Sequence, residues 1–138
     1  MVNGTSTTTY SYNNLNQLTK STTGGVQTLY TYDNNGNEST QSDNNYVWDD
    51  ENLMTQTYTN ANPFFRYNDL YDSLGKRVEK TYKIYGVLQN GTRYFYDGIN
   101  VLLENEYNSG LGSYTTSAVY TLAPGVIKEI ISVRKSGT

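Results

Sequence analysis

Histidine and cysteine are both absent from the 138 residues. That excludes Ser-His-Asp and Cys-His catalysis, the usual zinc sites, disulfides and thiolate chemistry. Proline occurs only twice, at Pro63 and Pro124. Aliphatic residues are scarce: Ile, Leu, Val and Phe together number 28, near the level at which a chain risks disorder. No apolar run is long enough to span a membrane. The "VNGTSTTT" after Met1 lacks the basic and apolar parts of a signal peptide. Basic residues are few at first. Residues 1–65 hold Lys20 against six acids, whereas 66–138 hold nine basic and seven acidic groups. With a pI of 4.8 and no basic cluster, nucleic acid is not an expected partner.

What remains is rich in strand formers. Fifteen Tyr, one Trp and 19 Thr favour pleated structure, and a net charge of only −3 argues against disorder. The tyrosines recur in a pattern. Tyr10 with Tyr12, Tyr30 with Tyr32, Tyr46 with Trp48, and Tyr94 with Tyr96 are each two apart. That spacing puts both rings of a pair on one face of a strand. Rungs of this kind on neighbouring strands suit a ladder of rings. The fourth of the five units in chain order, anchored at Tyr71, has Asp69 in the partner position.

Each second aromatic is followed by a turn. The tetrapeptides open with Asn13, Asp33, Asp49, Asp72 and Asp97 and close with Asn16, Gly36, Asn52, Gly75 and Asn100. A type I turn favours Asp or Asn first, because the short side chain accepts bonds from the backbone amides that follow. A hairpin built on that turn needs a left-handed residue where the chain re-enters the ladder, and Gly and Asn tolerate that best. Second strands follow, such as "LMTQTYT" and the alternating "EKTYKIY". The connections "STTGGVQ", "TNANP" and "NSGLGS" are polar and turn-like, and no segment has a helical period. The expected fold is all-β, with consecutive antiparallel hairpins. The array runs over 1–138, with units around 10–20, 30–40, 46–59, 69–85 and 94–107 and final strands over 114–138. "VNGT", "QNGT" and "KSGT" give the two ends a common phase with the fifth unit.

Other chemistry is weighed against this pattern. Asp49, Asp50 and Glu51 are adjacent, but strand alternation points neighbours apart, and the turn accounts for them. "DNNGNE" offers Asp33, Asn35 and Glu38 as oxygen ligands without the spacing of an EF-hand loop. Asn3, Asn37 and Asn90 head N-x-Ser/Thr sequons of the kind expected by chance in such a composition. The residues singled out carry a repeat motif, with no catalytic residue, metal or cofactor expected.

"YTYDNNGN", "YDSLGKRVEK" and "TRYFYDGINVLLE" resemble the signature of the YD-repeat, or RHS-repeat, family, and the resemblance covers essentially the whole chain. Asn13 and Asn16 replace the aspartate and glycine of that signature, Glu38 its leucine, and Trp48 its tyrosine. The resemblance implies hairpins wound into a twisted, spiralling sheet, an open piece of a β-shell. In bacterial RHS and insecticidal-toxin-complex proteins such a shell encloses a toxic C-terminal domain. In teneurins and wall-associated proteins the repeats serve adhesion. The motif that closes the shell and the self-cleaving aspartates are missing here, so no catalytic residue is carried over. The expectation is a non-catalytic structural segment of a secreted or cell-surface protein, part of a shell or self-assembling scaffold, and not an enzyme. Its expected partners are neighbouring repeats, copies of itself through edge strands, an enclosed toxin domain or a surface glycan. The alternative is a carbohydrate or cell-surface binding module that uses the tyrosine-rich face.

Overall fold

The structure, a computed structural model, describes residues 7–122 and 130–135. The "VNGT" end and the last three residues of "KSGT" therefore lie outside the described residues, as does Pro124. Every regular element among the described residues is a strand. They are β1 (Thr8–Tyr12), β2 (Leu18–Thr23), β3 (Val26–Tyr32), β4 (Glu38–Gln41), β5 (Asn44–Trp48) and β6 (Met54–Thr59). They continue as β7 (Asn62–Tyr71), β8 (Arg77–Ile84), β9 (Val87–Asp97), β10 (Asn100–Asn108), β11 (Ser113–Leu122) and β12 (Ile130–Lys135). The expected all-β fold of consecutive antiparallel hairpins is the one that forms. Strand order follows sequence order.

The chain divides into two compact units, Met1–Pro63 and Phe64–Thr138. In the first, β1 through β6 pair in sequence, each with the next. In the second, β7 through β12 do the same. A sheet made only of neighbours in sequence forms by local contacts, each hairpin templating the next.

Neither unit has an enclosed core among the described residues. The side chains buried there are Ala118, 3 % exposed, and Thr81, 6 %. Rings and hydroxyls lie half-buried along the faces instead, so the backbone ladder and cross-strand pairs carry the stability. Examples of such pairs are Thr8 with Thr23 at 2.8 Å and Thr31 with Thr40 at 2.6 Å.

Four turns share one geometry. Asn13, Asp33, Asp49 and Asp72 each accept two backbone N–H bonds on Oδ1, from the residues two and four positions later, at 2.9–3.0 Å. Asn16, Gly36, Asn52 and Gly75 then take the left-handed conformation, with φ of 61°, 90°, 62° and 74°. The chain re-enters the ladder through a bulge. Thr19, Ser39, Thr55 and Val78 are the residues left without an opposite partner. This is a three-residue hairpin loop closed by a left-handed residue.

The fifth turn is built differently. Asp97 pairs directly with Asn100, and positive φ falls on Gly98, at 56°, rather than on Asn100. Glycine at the first central position gives a two-residue loop, and the β-branched Ile99 stays out of the left-handed region.

Candidate functional site

The anchor rings act through their polar ends. Tyr32 Oη donates to the carbonyl of Leu18 at 2.9 Å, Trp48 Nε1 to that of Glu38 at 2.8 Å, and Tyr96 Oη to that of Arg77 at 2.8 Å. Leu18, Glu38 and Arg77 are the residues paired with Tyr12, Tyr32 and Tyr71, the anchors of the preceding motif turns. Each ring thus reaches one hairpin back. It does so where the ladder between hairpins has stopped. The β2–β3 register ends at Lys20 and Leu29, that of β4–β5 at Thr40 and Asn45, and that of β8–β9 at Glu79 and Arg93. The side chain supplies the bond that the splayed backbone lacks. Trp48 fills a tyrosine position because its indole also ends in a donor.

Tyr10 and Tyr12 stand 58 % exposed, while Tyr30, Tyr46, Tyr71 and Tyr94 are half-buried. Tyr46 Oη donates to Gln41 Oε1 at 3.2 Å. Neighbouring turns are also tied: Asn37 Nδ2 donates to Asp33 Oδ2 at 3.0 Å and to Asn52 Oδ1 at 2.8 Å. Asp33 therefore spends both carboxylate oxygens inside its own turn.

These bonds shift two carboxyls. The Asn37 amide, followed by the backbone amides of Asn37 and Asn35, holds Asp33 below the ordinary aspartate range. The Lys76 backbone N–H, helped by that of Leu74 and the Lys76 charge, does the same for Asp72. Both groups bind protons less tightly folded than unfolded. Their contribution is thus complete above the unfolded pKa of about 3.9 and is lost as pH falls through that value and below it. The expected result is a urea midpoint that is level from pH 7 to 5 and drops on further acidification. Asp33→Asn with Asp72→Asn, which keeps the acceptor as Asn13 does, should flatten that drop. An unchanged acid limb in the double variant would count against the turns as its source.

Chemistry-bearing residues converge in the second unit. On one face, Tyr114 Oη donates to Glu79 Oε1 at 2.6 Å, and Arg93 Nε lies 3.5 Å from the same oxygen. The Arg93 guanidinium stacks over the Tyr114 ring at 3.9 Å. Burial first, then the bond to the Glu79 carboxylate, pushes the Tyr114 hydroxyl up to about 12. Asn105, in register with Arg93, has a buried Oδ1 without a hydrogen-bond partner. A cavity of about 300 Å³ opens beside Val78, Glu79, Arg93 and Phe95.

The other face carries a groove of about 370 Å³, lined by Tyr67, Lys80, Tyr82, Asn90, Thr92 and Tyr94. The registers Tyr67–Tyr82, Tyr82–Asn90 and Lys80–Thr92 place these side chains together, since directly opposed residues share a face. Tyr67 and Tyr82 stack with centroids 4.8 Å apart at 28°. Asp69 is held by Arg77 at 3.3 Å, and Lys80 has no ion pair among the described residues. No group of His, Asp or Glu there could hold a metal ion.

Of the repeat residues expected from the sequence, Tyr94 lines this groove, and Tyr32, Trp48 and Tyr96 form the stitches. The bulge hydroxyls lie outside the repeat motif. Thr19 donates to the Ser11 carbonyl at 3.1 Å and Thr55 to that of Val47 at 3.2 Å, while Ser39 meets Thr31 at 2.8 Å. Their signal is an offset of six from the turn-opening Asn or Asp.

The fold defines an all-β array of antiparallel hairpins. No protein-family model matches the chain. It is similar to a "tRNA3(Ser)-specific nuclease WapA" of Bacillus spizizenii, 38 % identical over 110 residues. It is also 36 % identical over 110 residues to a "tRNA nuclease WapA" and a "tRNA(Glu)-specific nuclease WapA" of Bacillus subtilis strains. Each match covers 76 % of this chain and 4 % of the relative.

These names correct three expectations: a non-catalytic structural or glycan-binding segment, the absence of enzyme activity, and the exclusion of nucleic acid. The physical reason is one of scope. The lack of His and Cys and the pI of 4.8 describe 138 residues. They do not bound the active site or the charge of polypeptides roughly 20 times longer, of which the matched 110 residues make up 4 %. No helix among the described residues is long and apolar enough to cross a membrane.

Proposed function

We propose that the chain is a run of YD-type repeats within a nuclease that acts on tRNA, in a secreted or cell-surface polypeptide. The similarity over 110 residues to relatives named as tRNA nucleases carries this reading. The hairpin array supports the YD-type assignment: four turns of one geometry, each opened by Asp or Asn and closed by a left-handed Gly or Asn. Substrate and activity belong to the whole polypeptide.

The test is cleavage. The full-length polypeptide that carries this chain, incubated with deacylated total tRNA, should convert discrete tRNA species to fragments on a denaturing gel. Intact tRNA at micromolar enzyme over hours would overturn the reading.

A further inference from the structure

We propose that the groove of the second unit is a binding site for an unpaired RNA segment, with the Tyr67–Tyr82 pair as its stacking platform and Lys80 as its phosphate contact. The choice of RNA rests on the tRNA-nuclease reading; the site itself rests on geometry.

Three features make the groove a site. First, Tyr67 stays 49 % exposed although it is stacked on Tyr82, which leaves surface for a further planar group. Rings of this kind stack any base, since every base has a π-face. Secondly, Lys80 stands opposite Thr92, two residues along β8 from Tyr82, with its ammonium free of any ion pair among the described residues. Asp69, the acid in register with Lys80, is held by Arg77 at 3.3 Å. That leaves one cation beside an aromatic surface, which complements a phosphate next to a base. A neutral ring such as a sugar would leave Lys80 unused. Thirdly, Asn90 stands opposite Tyr82 and carries both a donor and an acceptor, the pair needed to read a base edge.

Size decides between strand and duplex. The volume of about 370 Å³ lies at the lower end of small-ligand sites. It admits a single splayed nucleotide, whereas a duplex keeps its bases inside its own stack. Single-stranded loops and ends are the parts of a folded RNA that present bases in this way.

The experiment is direct binding by the 138-residue chain, read by fluorescence anisotropy with a labelled single-stranded oligoribonucleotide and with the same sequence as a duplex. The single strand should bind more tightly than the duplex. Tyr67→Ala should weaken it by about 5- to 150-fold, the range for loss of one base stack. Lys80→Ala should lower the slope of log K against log salt by about 0.7, the release expected for one phosphate on a single strand. Circular dichroism of each variant guards against loss of fold, and the exposed Lys80 provides a second variant that leaves the tyrosine stack in place.

Equal affinity for duplex and single strand, or binding that neither variant changes, overturns the groove assignment. So does a change in sedimentation with Tyr67→Ala in the absence of RNA, which would give the groove to a second copy of the chain. The two readings fail separately. Cleavage by the full polypeptide without binding by the chain sinks the groove alone. Strand-selective binding without cleavage sinks the nuclease reading alone.

Discussion

Gly91→Ala should lower the stability of the second unit by about 2–3 kcal/mol, the sum of an overpacked contact and a weakened charged hydrogen bond. Conformation is not the reason, since Gly91 is absent from the positive-φ glycines. Space is. An added Cβ would lie 2.6 Å from Tyr114 Oη, 3.2 Å from Thr81 Cγ2 and 3.3 Å from the Lys80 carbonyl. The tyrosine cannot swing aside freely. Its hydroxyl is bonded to Glu79 at 2.6 Å, Arg93 covers its ring at 3.9 Å, and Tyr107 meets it edge-on at 5.6 Å. Displacing it breaks a bond to a charged acceptor, and holding it pushes β9 against β8. Each kcal/mol should lower the melting temperature by roughly 4–8 °C for a unit of this size. Differential scanning calorimetry of the variant checks this. Tyr114→Phe removes the atom that the methyl meets, so adding it to Gly91→Ala should cost less than the sum of the two single changes. A Gly91→Ala protein within 0.5 kcal/mol of wild type would mean that the ring has room that the structure does not show.

The turns were legible because their chemistry is local. Asn13, Asp33, Asp49 and Asp72 bond residues two and four positions on, so a tetrapeptide contains almost the whole device. The fifth turn shows the limit of that view. Asp97 and Asn100 match the end positions, yet Gly98 between them offers a shorter loop, and the shorter loop forms. A glycine at the first central position of a two-residue loop is a hairpin signal in its own right, and it outranked the repeat. The stitches were not legible. Tyr32 to Leu18 and Tyr96 to Arg77 depend on where the inter-hairpin ladder stops, which is a matter of register between units and not of any one motif. The rings lie along the faces of a sheet, and the hydroxyls of Tyr32 and Tyr96 do the joining. Gly91, Glu79, Arg93 and Tyr114 belong to no motif, since their meeting spans 35 residues between Glu79 and Tyr114. The function lay furthest from view. Composition described this chain, and the activity named for its relatives belongs to polypeptides mostly outside it.

Trp48 isolates what a stitch contributes. The sole tryptophan should show the order Tyr, then Phe, then Ala in rising cost when replaced. Trp48→Tyr keeps an aromatic body and a terminal donor, the combination that Tyr32 and Tyr96 use on the carbonyls of Leu18 and Arg77. It should lie within about 0.5 kcal/mol of wild type, less than one net hydrogen bond. Trp48→Phe keeps the ring and leaves the Glu38 carbonyl without its 2.8 Å donor, which should cost about 1 kcal/mol. Trp48→Ala loses the ring as well. For a half-buried indole covering roughly 100 Å² of apolar surface, that adds up to about 2–3 kcal/mol. Urea unfolding followed by far-ultraviolet circular dichroism gives all three on one scale, without the fluorescence that each variant removes. If Tyr and Phe came out equal, the indole N–H would contribute nothing, and the ladder between hairpins would hold without its side-chain bonds. If Tyr ranked with Ala, the site would demand the indole shape, and Trp48 would no longer be a tyrosine substitute. The expected order requires that the repeat selects a flat ring tipped by a donor, which is why Tyr and Trp alone occupy the anchor position in five units.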